Sequence, residues 1–205
     1  MGIVSMWLHV DRPALEACLA RPDWTPAALE SALRARGVAD DEVNDLVYYG
    51  YEEPDPQWNE SLARLVTVKA FDVDKAFAGT DLNLTTVAAS LPGLEPIARW
   101  HAAKSPVVKL PAPWASTDIV GFEVVATADQ VRALLPALAP FRDRAACSVH
   151  AKANSGGLLA GLSHRKRSLR AWVENDSLWN AWKQLTDALD AVASSRDDAL
   201  GVSTG

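Results

Sequence analysis

One stretch constrains the fold more than any other. From Asp118 to Ala126 the chain reads DIVGFEVVA, rich in Val, Ile and Phe, and Thr127 and Gln130 follow at capping-box spacing. Val131, Leu134, Leu135 and Leu138 then recur at the helical period. β-branched and aromatic side chains suit a pleated strand, whereas a threonine hydroxyl with a glutamine three residues on satisfies the free N–H groups of a helix start. A strand running straight into a capped amphipathic helix predicts a β–α unit, so strands and helices must share a core.

Around that unit, helix signals dominate. Ile3 to Val10 alternates as a strand, and Asp11 and Pro13 then suit the cap and first turn of a helix carrying Leu15, Cys18 and Leu19, stopped by Pro22. Thr25 and Pro26 open a second helix over Ala27 to Arg36, with Leu29 and Leu33 on its buried face and Gly37 as its stop. Asp40 or Asp41 is predicted to cap a third, carrying Val43, Leu46 and Val47. A short helix from near Gln57 through Leu65 is followed by a strand over Leu65 to Phe71, and Asp72 caps a helix to Ala78.

Leu82 to Ser90 reads as helix, Pro92-Gly93 breaks it, and Leu94 to Lys104 forms another with Ile97 and Trp100 on one side. Pro106, Pro111 and Pro113 keep Ser105 to Ser116 extended. Ala146 to Lys152 is predicted as a further strand, and Leu158 to Val173 as a helix. Asp176 is expected to cap the last helix, Ser177 to Ala193, whose Trp179, Trp182, Leu185, Ala188, Leu189 and Val192 make one broad apolar stripe. Small polar residues over 195–205 predict a flexible tail. The expected class is α+β: a helix-dominated single domain spanning 1–205, with a small sheet of about four short strands and at most a weak subdivision near 105–116.

A chain of 205 residues buries enough surface to need no disulfide or metal staple. Cys18 and Cys147 therefore read as free thiols. The net charge of −6 argues against nonspecific nucleic-acid binding and is compatible with a basic partner. No run approaches the roughly 20 apolar residues of a spanning helix. The first residues lack the basic start and apolar length of a secretory signal, and Met6 stands where a myristoylation signal wants Ser or Thr, so no membrane association and a cytoplasmic location are expected.

His9, His101, His150 and His164 form no zinc helix pair, and neither cysteine has a CxxC partner, so no metal and no cofactor are expected. His150 shares one face of the predicted strand with Ser148 and Lys152. No catalytic residue is assigned, and the question of enzyme activity stays open.

Two opposed segments remain as candidate sites. The first is acidic and aromatic: Asp40, Asp41, Glu42 and Asp45 precede Tyr48, Tyr49 and Tyr51, then Glu52, Glu53, Asp55 and Trp58 follow. Such aromatics either fill the core or anchor a partner, and carboxylates beside them suit a basic protein. Trp114, in the proline-rich stretch, joins them as a partner contact. The second segment has Ser155, Gly156 and Gly157, whose backbone N–H groups suit an anion-binding nest, then Arg165, Lys166, Arg167 and Arg170 within one basic run. Its plainer reading is a turn and a solvated helix face. The two functional expectations follow: a cytoplasmic protein-binding module of the bacterial immunity or adaptor kind, using the first segment, or an enzyme or binding protein for a phosphorylated small molecule, using the second.

Overall fold

The computed structural model describes residues 5–21, 24–48, 58–73, 88, 91–101, 124–153 and 173–204. It contains β1 (Ser5–Val10), α1 (Arg12–Ala20), α2 (Pro26–Ala35), α3 (Asp40–Tyr48), α4 (Trp58–Val66) and β2 (Thr67–Asp72). Then come α5 (Glu95–His101), β3 (Val124–Thr127), α6 (Ala128–Leu138), a 3-10 turn (Ala139–Phe141), α7 (Arg144–Ala153), α8 (Asp176–Ser194) and β4 (Ala199–Thr204). The helix-dominated α+β class expected from the sequence is the observed one.

Local signals set most helix starts. The Asp11 carboxylate accepts from Ala14 N at 2.9 Å and opens α1, and the Thr25 hydroxyl accepts from Ala28 N at 3.2 Å and opens α2. At α6 both halves of the capping box are made: Thr127 Oγ1 accepts from Gln130 N at 3.3 Å, and Gln130 Oε1 accepts from Thr127 N at 2.9 Å. Each cap contributes about 1 kcal/mol. Gly37 ends α2 at φ 78°, the left-handed conformation that a residue without Cβ adopts cheaply. The last helix is capped one residue earlier than expected: Asn175, in extended conformation, accepts from Ser177 N at 2.9 Å and Leu178 N at 3.2 Å, leaving Asp176 inside the first turn.

The four strands form one antiparallel sheet in the order β2-β1-β4-β3. Trp7 pairs with Phe71 on β2 and with Val202 on β4, and His9 with Lys69 and Leu200. Because neighbouring residues along a strand point to opposite faces, this register separates two cores. Trp7, Phe71, Ala126, Leu200 and Val202 face one of them, packed with Ile97 and Trp100 of α5, Val131 of α6, Cys147 of α7 and Leu185 of α8. Leu8, Val10, Val125 and Ala199 face the other, packed with Leu15 of α1, Leu29 of α2, Val43 of α3 and Leu62 of α4. The sheet is thus the middle of three layers, with helices on both faces.

Two expectations are overturned. Ala146 to Lys152 is not a strand but part of α7, and the supposed shared face of Ser148, His150 and Lys152 goes with it. Alanines at 145, 146, 151 and 153 favour a helix, and Asp143 starts it by accepting from Ala146 N at 2.8 Å and, through its carbonyl, from Cys147 N at 3.0 Å. Within the segment Cys147 is buried while Val149 is 66% exposed. The second correction is larger. The frayed tail expected over 195–205 fails at Ala199–Thr204, a central strand whose Ala199, Leu200 and Val202 are fully buried. Small residues weaken an isolated strand, but here β1 and β3 supply ladder partners on both sides.

Smaller shifts concern boundaries. The strand expected from Leu65 begins at Thr67, because α4 runs on to Val66 and the Thr67 hydroxyl donates to the Ala63 carbonyl at 2.7 Å. Pro92-Gly93 does make the predicted turn, with Gly93 at φ 80°, and a Cβ there would lie 2.8 Å from Ala137 Cβ of α6. The helix expected to Ala78, most of Leu82 to Ser90, the extended stretch 105–116, residues 118–123 and nearly all of Leu158 to Val173 lie outside the described residues.

Candidate functional site

The acidic-aromatic segment begins on α3. Asp40, Asp41 and Glu42 occupy its first turn, where the helix dipole favours negative charge. Two of these carboxylates are compensated: Asp40 accepts from Arg34 Nε at 2.9 Å, and Glu42 from Arg64 Nε at 2.5 Å. Asp41 and Asp45 are exposed one helical turn apart, and no cation pairs with either among the described residues. Like charges at this spacing cost a few tenths of a kcal/mol.

Tyr48, the last residue of α3, turns back into the protein. Its ring packs on the core shared by α1 to α4, and its hydroxyl donates to Glu30 Oε2 at 2.7 Å. That bond to a carboxylate, followed by burial, raises the phenol above its ordinary value of 10.0. Glu30 also takes Arg34 Nη1 at 2.6 Å, so Arg34 connects the carboxylates at positions 30 and 40. Tyr49, Tyr51, Glu52, Glu53, Asp55 and Trp114 lie outside the described residues, and Trp58 is described only as the first residue of α4. Ser155, Gly156, Gly157, Arg165, Lys166, Arg167 and Arg170 lie outside them too, between the end of α7 and Val173.

The tryptophans at the start of α8 act mainly as core. Trp182 is buried and its indole donates to the Phe141 carbonyl at 2.9 Å, which also accepts from Cys147 Sγ at 3.2 Å. Trp179 is partly buried, with the Arg144 guanidinium 5.9 Å above its ring. Arg144 donates as well to the Val173 carbonyl and to Asp176 Oδ1, both at 2.6 Å, so it ties α7 to the start of α8. By contrast, the indoles of Trp7 and Trp100 are buried with no hydrogen-bond partner among the described residues, their centroids 6.4 Å apart.

Sequence reasoning missed one close polar pair. His9 Nε2 lies 2.5 Å from Asp198 Oδ2, with side chains only 13% and 21% exposed. The Asp198 carbonyl accepts from Ala128 N at 3.2 Å, so this residue joins the ends of β1 and β3 to the start of β4. Chemically, an imidazole oriented by a carboxylate is the base-and-orienter half of a proton-transfer arrangement. Mechanically, it is a clasp across the sheet. No local pattern announces a pair 189 residues apart.

Both thiols are free. Burial raises Cys18 above its ordinary value, with Arg36 and Arg21 opposing, and pushes Cys147 up to about 11. Among the described residues no group of three or more His, Cys, Asp or Glu is placed to hold a metal ion. No helix among them is long and apolar enough to cross a membrane. Compared with known proteins, the chain matches no family model, no curated protein and no solved structure.

Proposed function

We propose that this chain is a protein-binding module, of the immunity or adaptor kind, that acts in the cytoplasm and recognises a basic partner through the acidic-aromatic segment from Tyr48 to Trp58. The observation that carries the reading is the exposed carboxylate pair Asp41 and Asp45 of α3, which has no paired cation among the described residues and leads directly into that segment. Keeping like charges one turn apart costs helix stability, and a basic partner would recover it. The net charge of −6 points the same way, since it steers cations toward the surface over roughly a Debye length, about 8 Å at physiological salt. Tyr49, Tyr51 and Trp58 would supply the anchoring area that charges alone do not.

The test is capture of partners from native extract by the intact chain, beside a variant with Glu52, Glu53 and Asp55 all changed to Lys. A retained partner that the triple variant loses, with an association rate that falls as salt rises, supports the reading. A chain that elutes alone, and whose interactions ignore charge reversal, overturns it. A thermal shift with nucleotides or sugar phosphates that Arg167→Ala abolishes would instead favour a phosphorylated small molecule as ligand.

A further inference from the structure

We draw no further inference here: the strongest candidate, the buried pair of unpartnered indole N–H groups of Trp7 and Trp100 in the core between the sheet and α5, carries nothing because no feature among the described residues shows what would accept from them.

Discussion

Trp7 and Trp182 are both buried, yet their indole nitrogens differ. Trp182 donates to the Phe141 carbonyl, whereas Trp7 Nε1 has no partner among the described residues. Replacing either with Phe removes a similar volume, but at position 182 it also removes a buried hydrogen bond, and at position 7 it removes an unsatisfied donor. Trp182→Phe should therefore cost at least about 1 kcal/mol more than Trp7→Phe in urea unfolding. Equal losses would mean that the Trp182 bond adds nothing. The thiols give a second contrast. Cys147 is 2% exposed and Cys18 is half-buried, so a thiol reagent should modify Cys18 quickly and Cys147 only as the fold opens. Cys147 also sets a pH dependence. Its folded value, about 11, stands above the ordinary 9.0, so unfolding releases a proton between them. Its contribution is complete below pH 9 and is lost as pH rises toward 11. Cys147→Ala should flatten that alkaline decline, and an unchanged pH profile would contradict it.

At the scale of elements, caps and stops were legible because they act over three or four residues. Asp11, Thr25 and Thr127 each perform the capping that their spacing implies. The two left-handed glycines separate local from tertiary demands. Gly37 has nothing among the described residues within 4 Å of a built Cβ, so Gly37→Ala should cost about 1 kcal/mol, from backbone strain alone. At Gly93 the same strain is joined by a 2.8 Å approach to Ala137 Cβ, so Gly93→Ala should cost clearly more and push the turn before α5 away from α6. Thermal melts of the two variants compare them directly, and equal shifts would remove the packing argument. Where local signals conflicted, the sequence misled. Ala146 to Lys152 shows alternation and helix-favouring alanines together, and the Asp143 cap decided for helix.

For the whole molecule, β4 matters most. It lies between β1 and β3 and contributes to both cores, Leu200 and Val202 to one and Ala199 to the other. Leu200→Ala should cost about 2–5 kcal/mol, while Val68→Ala, at a position 57% exposed on edge strand β2, should stay within about 0.5. Removing 199–204 altogether should abolish the cooperative melt, and a shortened chain that still unfolds in one sharp transition would refute the central placement. Of the candidate site, the sequence marked the acids and aromatics by type, but Tyr48 shows how little that says about direction, since its hydroxyl turns inward to Glu30. By itself the sequence determined the class, most of the helices and their caps, and the buried stripe of α8, because each depends on neighbours within a turn or two of the chain. The tertiary structure alone decided that the sheet is covered on both faces, that a small, weakly patterned strand sits at its centre, and that His9 meets Asp198. Those features depend on pairings between residues far apart in sequence, and a strand held by its neighbours carries little signal of its own.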